Sequence, residues 1–162
     1  MSEERWTDRL HLRRITEDDV TQIALLERDP AVNTHRTPPT EQESEDAARG
    51  YLADWAGDGL GYWAVERNGS LIGVAGLRFM TFHLRDTWNL YYRFAPFAWG
   101  RGYALEAVEA ALETALEQSQ KMPVVARTRP GNTHAFALAE RAGMTRRKDL
   151  DRDGLEVHVT HW

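Results

Sequence analysis

Apolar positions recur along this chain first with a period of two and then with a period near four, and the switches between the two rhythms mark its elements. Residues 10–15 place Leu10, Leu12 and Ile15 among His11, Arg13 and Arg14, an alternation that predicts a strand. Thr16, followed by Glu17, Asp18 and Asp19, has the form of a helix N-cap with an acidic first turn. Val20, Ile23, Ala24 and Glu27 then fit a short helix that stops before Pro30. Residues 29–39 read as a loop, and Thr40 with Glu43 has the spacing of a capping box that opens a second helix, its apolar side formed by Ala48, Tyr51, Leu52 and Trp55. Residues 57–61 are a glycine-rich break. Beyond it, residues 62–67, an Asn68-Gly69 turn and residues 70–79 give the clearest hairpin of the chain.

Residues 81–87 read as a polar connection, and residues 88–94 as an aromatic-rich strand that ends at Pro96, since proline cannot donate to a ladder. From Arg101 a long helix carries Ala104, Ala107, Val108, Ala111, Leu112, Ala115 and Leu116 on one side and Glu106, Glu109, Glu113 and Glu117 on the other. Residues 123–128 form a short strand. Asn132 leads into a helix over 133–142 closed by Gly143, and residues 144–150 and 155–162 flank an Asp153-Gly154 turn in a last hairpin. The order predicts an α/β (α+β) domain spanning residues 1–162, with one mixed sheet of about seven strands and about four helices.

Composition narrows the function. The 162 residues suffice for one hydrophobic core, and the absence of cysteine removes disulfides, thiolate metal sites and a cysteine nucleophile. A formal net charge of −5 argues against a nucleic-acid partner and is compatible with a cationic substrate. No apolar run spans a membrane, and the start Met1-Ser2-Glu3 has neither the basic nor the apolar part of a signal peptide, so a cytoplasmic location is expected. The oligomeric state is left open, a homodimer included. His158 and His161 lie three apart on a strand and so face opposite sides, which argues against a metal pair.

The stretch with most chemistry in it is Trp99, Gly100, Arg101, Gly102, Tyr103 and Ala104, between the aromatic strand and the long helix. The first amides of a helix lack internal partners, and the aligned peptide dipoles favour an anion there. Two glycines permit positive φ and let phosphate oxygens approach the backbone, while Arg101 adds a mobile positive charge. Two glycines also serve a plain strand-to-helix turn. The third glycine of a dinucleotide fingerprint and the Gly-Lys-Ser/Thr of a P-loop are both missing.

This segment resembles the cofactor loop of the GNAT N-acetyltransferase superfamily, Gln/Arg-x-x-Gly-x-Gly/Ala, with Gly102 and Ala104 in register and Trp99 at the first position. The Trp-Gly-Arg-Gly-Tyr-Ala form is similar to the RimJ/RimL-type branch. Asn132 and the Glu140-Arg141-Ala142-Gly143-Met144 ending extend the resemblance over residues 88–150. It implies a mostly antiparallel sheet splayed between strands four and five, with acetyl-CoA as cofactor and a primary amine, on a peptide or a small molecule, as acceptor. It further implies a pyrophosphate on Gly100, Arg101, Gly102, Tyr103 and Ala104 beside Trp99, a pantetheine arm along Phe94 and Ala95, and Asn132 near the arm or the departing sulfur.

The chain departs from the family at its usual proton carriers. Ala135 and Ala139 replace hydroxyls, and Asn89 stands where many relatives have an acid. Water, His35 or Tyr92 is left as proton acceptor; His35 and His134 also read as ordinary exposed loop residues. Glu41, Glu43, Glu45 and Asp46 open the second helix, where they suit either a cationic acceptor or simply the helix dipole. The alternative to an enzyme is a non-catalytic acyl-CoA-binding sensor or interaction module.

Overall fold

The alternating segments pair into strands and the amphipathic ones cover them, as a computed structural model describing residues 4–57 and 60–162 shows. Met1, Ser2 and Glu3, and Asp58 and Gly59 of the glycine-rich break, lie outside the described residues. The strands are β1 (Arg5–Trp6), β2 (His11–Arg14), β3 (Tyr62–Arg67), β4 (Ser70–Phe82), β5 (Arg85–Phe94), β6 (Val124–Thr128), β7 (Thr145–Arg146) and β8 (Glu156–Val159). The helices are α1 (Val20–Arg28), α2 (Glu41–Asp54), α3 (Tyr103–Gln118) and α4 (Thr133–Arg141). One sheet runs in the order β1-β2-β3-β4-β5-β6-β8-β7. Every pairing in it is antiparallel except β5 with β6. The expected mixed, mostly antiparallel sheet is therefore present, with β1 as an additional two-residue edge strand. No helix among the described residues is long and apolar enough to cross a membrane.

Local chemistry accounts for several boundaries. Thr40 and Glu43 close a reciprocal capping box at the start of α2. Asn68 and Gly69 both take positive φ, as a two-residue hairpin turn requires. At the end of α4, Gly143 takes φ +92 while its N–H and that of Met144 bond back to Glu140 and Ala139, a Schellman closure.

Three expectations need correction. Residues 81–87 are not a loop, because β4 continues to Phe82 and β5 starts at Arg85, joined by His83 and Leu84, both at positive φ. Thr87 supports the pairing by donating to the Met80 carbonyl. The long helix starts at Tyr103 rather than Arg101, and its buried side is Tyr103, Ala107, Val108, Ala110, Ala111, Thr114 and Ala115, with Leu116 turned out to solvent. The last hairpin is interrupted by a 3₁₀ turn over Lys148–Leu150, leaving β7 only two residues long.

Most large apolar side chains meet in one cluster with Trp63, Leu10, Ile23, Leu77 and Val108 at its centre, and a smaller one gathers Phe82, Val125, Leu150, Val157 and Val159. Tyr91 of β5 reaches α1 and Tyr92 reaches α4. Neighbouring strand residues point to opposite faces, so α1 and α4 cover opposite sides of the sheet. The glutamates of α3 are not merely a solvated face. Arg5 donates to Glu113 and Glu117, while Glu106 accepts from Thr7, from the Arg9 backbone and from the Arg9 guanidinium, so α3 clips down the segment that leads into β2.

Gly73 marks where β4 and β5 approach most closely. A Cβ there would lie 2.6 Å from the Arg93 carbonyl oxygen and 2.7 Å from the Phe94 ring. Gly73→Ala is expected to cost about 2 kcal/mol or more through overpacking. Thermal denaturation would register this as a Tm lowered by about 5 °C or more.

Candidate active site

The site begins where β5 and β6 part. They pair in register only at Trp88 with Val124 and Asn89 with Val125. Beyond these residues β6 follows β8, with Val125 to Thr128 matched to Val159 through Glu156. The direction of the unpaired groups on β5 follows from ladder alternation. Ala95 donates to Ile72 across the β4 side, whereas Trp88 donates to Pro123 on the β6 side. Even-numbered residues therefore direct their N–H and C=O away from β4, and those of Tyr92 and Phe94 face the gap. Trp99 takes the Phe94 carbonyl through its indole N–H at 2.8 Å, which leaves the Phe94 N–H. Ala95, expected along this edge, has its N–H committed to Ile72 and adds no donor to the gap.

The loop before α3 lies next to this opening. Gly100 and Gly102 have φ of +74 and +80, and nothing lies within 4 Å of a Cβ built at Gly100. Gly102 is the N-cap, no side chain caps the helix, and Glu106 makes the first turn's bond to the Gly102 carbonyl. The amides ahead of Glu106 thus precede the helical ladder and are open to an anion. Arg101 is exposed, Tyr103 is buried and Ala104 is half-buried. Arg9, which no sequence signal singles out, braces the loop. It donates to the Arg101 carbonyl at 2.7 Å, pairs with Glu106 and lies 4.6 Å from the Tyr103 ring centre.

A cleft of about 250 Å³ occupies the gap, lined from β5 by Leu90 to Arg93, from β6 by Ala126 to Thr128, and from α4 by Asn132 and Ala135. Val32, Asn33, His35, Arg36, Arg129 and Leu155 complete its wall. Tyr92 and His35, both read as candidates from sequence, are thus in one cleft with Asn132. Asn132 caps α4, accepting from the Ala135 N–H at 3.2 Å, so its side-chain amide N–H groups are the part left to donate. Burial pushes the Tyr92 phenol up to about 12, so it is protonated at neutral pH and unsuited to the role of base. His35 is exposed on the loop wall. Asn89 is engaged at both ends of its side chain, donating to Tyr62 and accepting from Arg127. Glu41, Glu43, Glu45 and Asp46 do not line the cleft, and Glu43 is spent on the α2 cap.

Sequence reasoning also missed a buried carboxylate beside the cleft. Glu27 of α1 is only 3% exposed and accepts from the Tyr91 and Tyr51 hydroxyls at 2.6 and 3.2 Å. Desolvation first, and the Glu27 charge second, hold both phenols above their usual range. The helical spacing of Glu27 with Val20, Ile23 and Ala24 is the only hint of this in the chain, since its partners come from α2 and β5.

Comparison with known proteins was informative over nearly the whole chain. A family profile described as "Acetyltransferase (GNAT) domain" matches residues 9–145. The "Uncharacterized protein YkkB" of Bacillus subtilis (strain 168) is 30% identical over 142 residues, which is 85% of this chain and 83% of that protein. The crystal structure of an acetyltransferase from Agrobacterium tumefaciens str. C58 superposes with a TM-score of 0.85 at 24% identity, covering 100% of this chain and 96% of the other. A spermidine N-acetyltransferase from Vibrio cholerae, solved with CoA and spermine, gives a TM-score of 0.71 at 18% identity over 94% of each chain.

The Trp99 indole is the pin between loop and strand end. Trp99→Phe removes the donor to the Phe94 carbonyl and is expected to lower stability by about 1 kcal/mol. The check is urea denaturation, in which the midpoint should fall while the m-value stays unchanged.

Proposed function

The chain belongs to the GNAT acetyltransferase family, and on that premise we propose that it is an acetyl-CoA-dependent N-acetyltransferase that modifies a primary amine. The observation that carries this reading is that two sets of open backbone donors lie side by side, joined by the Trp99 indole on the Phe94 carbonyl: the amides before α3 and the N–H groups of Tyr92 and Phe94 on the unpaired edge of β5. The Trp99 to Ala104 wording of the loop favours the RimJ/RimL-like branch.

The residues present fit the cofactor. Gly100 and Gly102 leave the loop backbone accessible, Gly100 with open space where a Cβ would stand, and Arg101 adds charge beside amides that precede the helical ladder and would hold a diphosphate. When bound, acetyl-CoA supplies the activated acetyl thioester. The chain supplies the rest. Tyr92 and Phe94 direct N–H groups into the gap, where a fixed donor can polarise an acyl oxygen without reorganising. Asn132 offers its side-chain amide from the N-terminus of α4. Tyr92 holds its phenolic proton at neutral pH and can give it to a departing sulfur.

Among the described residues no carboxylate lines the cleft and Tyr92 is already protonated, so the amine's proton passes to water or to His35, and direct attack by the neutral amine needs no covalent enzyme intermediate. The lack of a carboxylate base among the described cleft residues is the feature that favours the rival reading, a non-catalytic acyl-CoA-binding module. An amine-panel assay that follows free CoA thiol separates them: amine-stimulated thiol release supports the transferase, and cofactor binding without any such release supports the module. Acetyl label retained on denatured protein when acceptor is omitted would contradict direct attack.

Gly102→Asp puts a carboxylate where a diphosphate is to be held and forces a side chain into φ +80. Cofactor affinity measured by calorimetry should fall by at least about tenfold. Tyr92→Phe removes a proton donor but no charge at neutral pH, so kcat should drop by about 10- to 100-fold with cofactor affinity unchanged. In the parent protein the pH–rate profile should rise as the amine loses its proton and show no Tyr92 inflection below pH 10, because that phenol ionises only near pH 12.

A further inference from the structure

The charges around the cleft run opposite to those of the whole chain. The chain has a net charge of −5, yet among the described residues those with charge that line the cleft are Arg36, Arg93, Arg127 and Arg129, with His35 beside them and no carboxylate. Among the described residues Arg36, Arg127 and Arg129 enter no ion pair. Arg127 instead donates to the neutral Asn89 oxygen at 3.3 Å. Glu43 is within electrostatic range of Arg36 but forms no ion pair with it.

Two of these guanidiniums are held together by a built support. Asn33 is 4% exposed, and its side-chain nitrogen is fixed by the Glu27 and Asp29 carbonyls at 2.8 Å each. Its side-chain oxygen accepts from Arg36 at 2.9 Å and from Arg93 at 3.0 Å. One neutral oxygen thus gathers two like charges from different elements. Arg93 is paired with Glu27 only at 3.8 Å, through the Glu27 oxygen that Tyr91 and Tyr51 leave free, and Arg36 has no carboxylate partner among the described residues. Like charges gathered this way repel, Arg93 largely covered and Arg36 open to solvent, and an anion spanning both relieves the repulsion through charge-assisted, geometrically matched hydrogen bonds.

The geometry points to an acceptor that is itself anionic: a primary amine carrying a carboxylate or phosphate, whose anionic group sits on the Arg36–Arg93 pair. This assignment rests on the transferase reading and narrows it, and it reverses the cationic acceptor that the acidic start of α2 suggested. The local field would draw such an amine toward the cleft and disfavour polyamines. In the reaction a bond forms between the amine nitrogen and the acetyl carbon, the bond to sulfur breaks, and the amine proton passes to water or to His35 while the arginines remain charged throughout.

The test uses the intact protein and two pairs of amines of similar basicity, γ-aminobutyrate against n-butylamine and phosphoethanolamine against ethanolamine, so that the carboxylate and phosphate arms are read separately. At least one anionic amine should exceed its neutral mate in kcat/KM by about tenfold or more. Arg36→Gln should erase most of that preference and Arg36→Glu invert it, each read as the ratio of kcat/KM within a pair. A second readout is independent of turnover. Calorimetric titration of the CoA-loaded protein should show the anionic amine binding more tightly than its mate, with the difference lost in Arg36→Glu. Equal binding within both pairs, or a preference indifferent to Arg36→Glu, overturns the assignment whether or not acetyl transfer occurs. Anion-selective binding without transfer to any amine would instead uphold the anion site and refute the transferase reading.

Discussion

A strand inside a sheet must satisfy its backbone on both sides, and β5 does so only as far as Leu90. Its β4 side is paired along its whole length, while its β6 side loses its neighbour after Asn89 because β6 turns to follow β8. The protein tolerates this interruption by spending one local group, the Trp99 indole, on the Phe94 carbonyl and leaving N–H donors facing a cleft. Backbone donors without a protein partner are costly unless water or a ligand meets them. The functional proposal follows from this deficit, since the open amides of the loop before α3 and those of the β5 edge call for the same elongated, acceptor-rich molecule.

Charge is distributed with equal economy. The acidic residues that dominate the surface count are largely consumed in holding the fold. Asp19 takes both terminal nitrogens of Arg13 at 2.8 Å, and although burial raises its carboxyl, those bonds and the Thr16 amide bring it below the usual value. Glu27 is spent on two tyrosines, and Glu106, Glu113 and Glu117 on Arg5 and Arg9. Among the described residues, three of the four arginines at the cleft, Arg36, Arg127 and Arg129, are left without a carboxylate, and the fourth, Arg93, has only Glu27 at 3.8 Å. Net charge therefore misleads about the ligand, because it averages a spent negative population with an unspent positive one.

What the sequence made legible was whatever depends on residues close in the chain. The Thr40 to Glu43 cap, the Asn68-Gly69 turn, the Gly143 closure and the glycines before α3 each carry their geometry in adjacent residues. The turn at His83 and Leu84 did not, since a leucine at φ +62 has none of the usual turn chemistry, and the polar run around it disguised two strands that continue through. Asn33, Arg36 and Arg93 were illegible for a different reason. Their meaning lies in a shared oxygen between residues some 60 positions apart, and no periodicity records that. Tyr92 was legible as a cleft residue but not in its role, because its protonation state is set by burial alone.

The strap from Arg5 to Arg9 ties the chain's beginning to the cradle nearly a hundred residues later, through Arg9 on the Arg101 carbonyl and on Glu106. The conformation of the loop before α3 is therefore held in part by a segment distant in sequence, through one guanidinium that grips both the loop and the helix behind it. Removing the Arg9 side chain would release the Arg101 carbonyl and one oxygen of the Glu106 carboxylate together, so that loop and helix start would lose one shared brace rather than two separate ones.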